Sequence, residues 1–175
     1  MVILKLKKLE KESIRRGIPI IGSERGEFLL KIIREEKPKE ILELGTANGY
    51  SGCILGSEGG KLLTVELAEK SAGEAKENFK KFKINAEIIF GDAVEVVKKL
   101  NKKFDLIFID FAKKNYIDVL EDCIRLTNKT IIADNINVDD CRDFKKTILS
   151  HPLLETEIIN INDGIGYSRK KQILK

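Results

Sequence analysis

The sequence predicts a doubly wound α/β fold, and three observations point there. Short aliphatic runs recur at 41–44, 62–65, 87–90, 106–109 and 131–133. Longer amphipathic stretches rich in Lys and Glu separate them, at 68–82, 93–100 and 116–126. The short runs are nearly continuous in apolar residues, as expected of strands covered by helices on both faces. Such alternation predicts parallel strands joined by right-handed crossovers.

Residues 2–16 interleave aliphatic and basic side chains at helical spacing and read as a leading amphipathic helix. Gly17, Ile18 and Pro19 break it. Ser23 offers an N-cap for a second helix that buries Phe28, Leu29, Leu30, Ile32 and Ile33. Pro38 ends that helix by restricting the residue before it. The five strand signals follow, with their helices. After Asp139 one more helix is expected, to Ser150, and then two extended segments at 153–161 and 165–174. Asn162-Asp163-Gly164 between them is turn chemistry, so an antiparallel C-terminal hairpin should close one sheet edge. The expectation is one domain over 1–175, with N-terminal helices over 1–37 and, over 38–175, a mostly parallel, seven-stranded Rossmann-like sheet with helices on both faces.

Composition narrows the function. With 42% hydrophobic and 34% charged residues the chain can build a core. Thirty-two basic and 28 acidic side chains leave +4, too small an excess to establish a nucleic-acid partner. No apolar run approaches the roughly 18 residues of a membrane span, and the start MVILKLKKLE lacks a secretory block. A soluble, cytoplasmic protein with no membrane partner is expected. The only histidine, His151, excludes a histidine dyad or a multi-histidine zinc site. Cys53, Cys123 and Cys141 form no CxxC pair and read as buried free thiols. A metal would have to be held by oxygen.

In open parallel sheets, ligands bind beyond the carboxyl ends of the strands. The first strand runs into Glu43-Leu44-Gly45-Thr46-Ala47-Asn48-Gly49-Tyr50-Ser51-Gly52. Its GxxxGxxG spacing differs from the GxGxxG of dinucleotide sites, and no GxxxxGK[ST] loop is present. These glycines either cradle a ligand or serve only a strand-to-helix turn. Glu66 ends the second strand, where an acid can accept both hydroxyls of a ribose or simply be solvated. Asp92, between Gly91 and Ala93, can cap the next helix or accept from an adenine amino group. Asp110 ends the fourth strand, and Asp134 and Asn135 end the fifth. Two carboxylates and a carboxamide suit a hard ion such as Mg²⁺. Lys113, three residues beyond Asp110, is placed to act as a general base if a nearby dication disfavours its ammonium form. Taken singly, these residues also read as caps and solvated charges.

In order and spacing these segments resemble the class I S-adenosylmethionine-dependent O-methyltransferases, in the metal-dependent caffeoyl-CoA and catechol branch (O-methyltransferase family 3). The resemblance runs from Gly17 to the end. It implies that Glu43 and the loop of Gly45, Thr46, Gly49 and Tyr50 hold the methionine moiety of the cofactor, with Ser51 assisting. Glu66 would take the ribose hydroxyls beside Leu67; Asp92, flanked by Gly91 and Ala93, would lie by the adenine; Asp110 would border the cofactor. Asp110, Asp134 and Asn135 would chelate a divalent cation, Mg²⁺ by expectation, and Lys113 would be the base, with Asp110 as the second catalytic residue. The implied reaction moves a methyl group to a hydroxyl of a small acceptor, a diol or phenol among the candidates.

Three departures stand out. The family's Asp-Ala-Asp-Lys reads Asp110-Phe111-Ala112-Lys113. The insertions of the plant members are missing after Asn135. The glutamate that catechol enzymes carry near the last strands is replaced by Asp163-Gly164-Ile165-Gly166-Tyr167. The short N-terminus suggests an open site, and a homodimer is left open.

Two alternatives stand beside this reading. Members of the branch methylate a hydroxylated wobble uridine in tRNA, and Lys98-Lys99, Lys102-Lys103, Lys145-Lys146 and Arg169-Lys170-Lys171 are candidate phosphate contacts. A non-catalytic S-adenosylmethionine-binding module is the second; it would need neither the chelators nor Lys113. A nicotinamide dehydrogenase fails on the glycine spacing.

Overall fold

The computed structural model describes residues 2–172. Helices α1 (Val2–Arg15) and α2 (Gly22–Glu36) precede strand β1 (Glu40–Leu44). The chain then continues through α3 (Tyr50–Leu55), β2 (Lys61–Glu66), α4 (Glu69–Phe82), β3 (Ala86–Phe90), α5 (Ala93–Lys99) and β4 (Phe104–Ile109). It ends with α6 (Tyr116–Leu126), β5 (Thr127–Asp134), α7 (Arg142–Ser150), β6 (Leu154–Ile159) and β7 (Ile165–Lys170). Seven strands form one sheet in the order β3-β2-β1-β4-β5-β7-β6, parallel except for β7 against β5 and β6. The expected doubly wound sheet and its terminal hairpin are both present.

The continuous apolar runs divide residue by residue between two cores, because successive strand side chains face opposite sides. Leu42, Leu44, Ile107, Ile109 and Ile131 pack with α5, α6 and α7 residues such as Val97, Leu120 and Phe144. Ile41, Leu106, Phe108 and Ile132 pack on the other face with Leu6, Leu29, Ile33 and Phe79 of α1, α2 and α4. Each fully buried aliphatic contributes about 1.5–3 kcal/mol of transfer free energy. Both faces being dry explains why the central strands read so clearly.

Some boundaries differ from expectation. Ser23 is not an N-cap: α2 begins one residue earlier, and Glu10 Oε1 of α1 accepts from the Ser23 amide at 2.8 Å. A tertiary carboxylate therefore replaces the local cap. Within α2, Leu29, Leu30, Ile32 and Ile33 are buried as expected, while Phe28 is only half-buried. The helix ends at Glu36, where Lys37 turns left-handed and its amide bonds Ile33 O, so the stop precedes Pro38. The hairpin strands are shorter than expected, and the 173–174 portion of the last one lies outside the described residues. Cys53, Cys123 and Cys141 are free and buried. No helix among the described residues is long and apolar enough to cross a membrane.

Candidate active site

At the carboxyl edge of the sheet a cavity of about 790 Å³ opens between the β1–α3 loop and the ends of β2, β3 and β4. That is within the roughly 300–1,000 Å³ of small-ligand sites. Gly45, Thr46, Tyr50, Ser51, Glu66, Leu67, Gly91, Asp92, Ala93 and Asp110 all line it. Of the cofactor residues expected from sequence, Glu43 and Gly49 stand behind the wall.

The loop owes its shape to contacts of both kinds. Gly45 adopts φ +96°, and a Cβ there would lie 2.0 Å from the Asp110 carbonyl oxygen. The first loop and the Asp110 segment therefore touch backbone to backbone. Gly49 (φ +83°) starts α3 with Phe79 and Ala75 of α4 against it, so it serves packing as well as the turn. Glu66 reaches back across the loop: Oε2 accepts from the amides of Thr46 (3.1 Å) and Ala47 (2.8 Å), and Oε1 from Ala68 (2.8 Å). The acid at the end of β2 thus holds the glycine loop in place, and its remaining lone pairs are available to a ligand. Asp92 caps α5, accepting from the Val94 amide at 2.8 Å.

Glu43 is fully buried beneath the loop, accepting from Ser51 Oγ and Thr64 Oγ1, each at 2.6 Å. Loss of hydration pushes its carboxyl up to about 8; the two hydroxyl donors oppose this, and Asp110 and Glu66 add to it. The same group ionises near 4.5 when unfolded. Between those values the folded protein keeps a proton that the unfolded chain has released, so this group makes stability fall as pH rises and stops contributing to the slope below 4.5. Glu43→Gln, which preserves size and hydrogen bonding, is expected to flatten the decline in urea midpoint between about pH 5 and about pH 8.

The acidic end of the site is set by strand register. Ile109 pairs with Ala133 in parallel, so Asp110 and Asp134 leave adjacent strands at one level, about 5 Å apart along the hydrogen-bonding direction. Lys113 Nζ bonds Asp110 Oδ1 at 2.5 Å and lies 5.3 Å from the centre of the Tyr116 ring. Tyr116 is itself fixed by its hydroxyl bond to Ile109 O and by stacking on Phe111. Asp134 is 2% exposed; Arg25 Nη1 bonds its Oδ2 at 2.8 Å, while its Oδ1 has no partner among the described residues. Burial, then repulsion from Asp110, pushes its carboxyl up to about 6 against the pull of Arg25 and Lys113. Asn135 follows in the left-handed region at φ +56°, and its side-chain Nδ2 donates to Asp163 Oδ2 at 3.3 Å. Asp163 thereby brings a carboxylate beside Asn135.

Among the described residues no three His, Cys, Asp or Glu side chains form a metal-holding group. An ion here would rest on Asp110, Asp134, the Asn135 carboxamide and oxygens from outside the chain. The donor chemistry fits a hard divalent ion, and the orphaned Asp134 oxygen is the feature that calls for one.

Several residues of the site were not anticipated. The Gly17–Ile20 segment lines the cavity, and bidentate Arg16–Glu74 bonds at 2.9 and 2.7 Å tie its start to α4. Asn48 is 2% exposed, donates to the buried Ser13 Oγ of α1 at 2.7 Å, and leaves its own Oδ1 without a partner among the described residues. Ser13 had a readable signal, being a small polar residue on the apolar stripe of α1. Arg25 had none.

A model of the O-methyltransferase family matches residues 3–171. The chain belongs to the O-methyltransferase family. Catechol O-methyltransferase of Sus scrofa is 28% identical to this family member over 138 residues, covering 71% of this chain and 74% of that one. The matches span only 52% and 55% of the Mus musculus and Bos taurus catechol O-methyltransferases, about half their length. A Staphylococcus aureus structure assigned as a caffeoyl-CoA O-methyltransferase superimposes with TM-score 0.87 at 26% identity, over 98% of this chain and 93% of that one. The O-methyltransferase from Bacillus cereus in complex with SAH gives 0.82 at 25% identity, over 95% and 90%.

Proposed function

We propose that this O-methyltransferase family member transfers the methyl group of S-adenosylmethionine to a hydroxyl oxygen of a small acceptor docked against Asp110, Lys113, Asp134 and Asn135. The observation that carries this reading is a single cavity with a glycine-loop wall at one side and the Asp110–Lys113 pair at another. Its size, and the S-adenosylhomocysteine bound by the Bacillus cereus relative, support the choice of cofactor.

In this account the loop from Gly45 to Ser51 takes the methionine part, and Glu66 takes the ribose hydroxyls with the lone pairs that the loop amides leave free. Leu67 and Ala93 give the adenine apolar contact, and Asp92 keeps one oxygen for its amino group. Transfer forms a C–O bond and breaks the methyl–sulfur bond, and the hydroxyl proton passes to Lys113. The ordered loop holds donor and acceptor in line, which is the main service an enzyme offers a displacement of this kind. Asp110, Asp134 and Asn135 would hold a divalent ion, which when bound would lower the pKa of the acceptor hydroxyl.

A second reading, tRNA as acceptor, draws on one feature. Three of the four basic clusters sit away from the catalytic edge: Lys98 and Lys99 end α5, Lys102 pairs with Glu40 at the start of β1, and Arg169 pairs in register with Thr130 near the start of β5. Lys145 and Lys146 differ. With Arg142, Asn137 and Leu149 they line a groove of about 390 Å³ formed with the chain just beyond Asn135. A phosphate-bearing acceptor would meet this groove first.

The test is methyl transfer from labelled S-adenosylmethionine to ortho-diphenols, coenzyme A thioesters and bulk tRNA, with and without chelator. Labelling of a small hydroxyl acceptor that chelator abolishes is the expected result. Labelling confined to tRNA selects the second reading. Stabilisation by S-adenosylhomocysteine, about 2.7 kcal/mol at a hundredfold excess over Kd, with no transfer to any acceptor would show a binding module and overturn both.

A further inference from the structure

Arg25 lies in the first turn of α2 and is held at both ends of its guanidinium. Nε donates to Ile21 O at 2.8 Å, and Nη1 to Asp134 Oδ2 at 2.8 Å. The arginine side chain is 14% exposed and the aspartate 2%. On the other carboxylate of the pair, Lys113 occupies Asp110 Oδ1. Two acids thus meet two bases, and their formal charges cancel with nothing added from outside. The bases are not equivalent. Lys113 carries its charge on a flexible stem, whereas the planar Arg25 guanidinium is fixed by its second bond, to Ile21 O.

We infer that Arg25 is a resident counter-cation that weakens divalent-ion binding at the Asp110–Asp134–Asn135 cluster. It neutralises Asp134 while the cluster is empty, withholds Oδ2, and leaves only the unpartnered Oδ1 for an incoming ion. Removing the partner of a buried carboxylate leaves an uncompensated charge, so without Arg25 the cluster needs an ion more and repels it less. The protein with Arg25 is built to assemble this edge of the sheet before any ion arrives and to exchange the ion readily. This inference rests on the divalent-ion reading of the site.

Mn²⁺ alone serves as the probe, with free ion counted by electron paramagnetic resonance and unfolding temperature followed in parallel. Arg25→Gln keeps a donor for Asp134 without the charge, Arg25→Met removes both, and Arg25→Lys keeps the charge. The two uncharged variants are expected to bind Mn²⁺ at least about tenfold more tightly than the parent protein, with the lysine variant close to the parent. Mn²⁺ should also raise the unfolding temperature of the uncharged variants by more than it raises that of the parent. If Arg25 instead aims Asp134 at the ion, Arg25→Met will bind more weakly, which overturns the inference. Should Arg25→Met fail to fold, Arg25→Gln against Arg25→Lys decides alone. Absence of Mn²⁺ binding in every form at about millimolar ion overturns the ion reading and this inference together. Methyl transfer in the presence of chelator reports separately on whether the transferase reading stands.

Discussion

Gly45→Ala is expected to lose about 3 kcal/mol of stability or more, and cofactor binding with it. Two separate penalties meet at this residue. Its φ of +96° is a backbone conformation that an L side chain rarely adopts, which costs about 1–2 kcal/mol. Its new methyl would also stand 2.0 Å from Asp110 O and 3.1 Å from Phe111 Cα, and those are backbone atoms that no rotamer change can move. Gly59 provides the control, because φ there is +91° with nothing within 4 Å. Gly59→Ala should show the backbone penalty alone. Urea midpoints for the two variants therefore separate strain from contact. Equal losses would mean that the glycine loop and the Asp110 segment do not press together as described.

Asp110→Ala is expected to lower methyl transfer by about 10²–10⁴-fold while changing S-adenosylhomocysteine affinity by only a few fold. The carboxylate sits at the acidic corner of the cavity, bound to Lys113 and one strand spacing from Asp134, so its loss unpairs Lys113 and, in the proposed reading, removes one oxygen ligand. In the proposed reading the cofactor keeps Glu66, Asp92 and the Gly45–Ser51 loop, which come from other strands. Labelled-methyl assays at saturating acceptor, with titration calorimetry in parallel, check both halves. Asp110→Asn should be nearly as inactive, because it keeps the shape without the charge. Full activity in either variant would remove Asp110 from the chemistry.

How much of this was legible depends on the range over which each residue interacts. The central strands were readable because both of their faces are dry, so Leu106–Ile109 is apolar throughout and Ile41–Leu44 is apolar except at the buried Glu43. Their order along the chain then brought Glu66, Asp92, Asp110 and Asp134 to one edge, since residues that follow parallel strands share an end of the sheet. The partners of those acids were not readable. That Glu66 clasps the Thr46 and Ala47 amides depends on how the loop folds back over β2. The helix α2 start was misplaced because its acceptor, Glu10, belongs to another helix. Arg25 looks in sequence like one more charge on a charged chain, and only the packing of α2 against the end of β5 turns it into the partner of a buried aspartate.

The most direct test of the account is the structure of the protein with S-adenosylhomocysteine bound. The adenine is expected by Leu67 and Asp92, the ribose on Glu66, and the sulfur facing the Asp110–Lys113 corner. The ligand lying elsewhere on the molecule, or in this cavity with its sulfur turned away from Asp110, would contradict it.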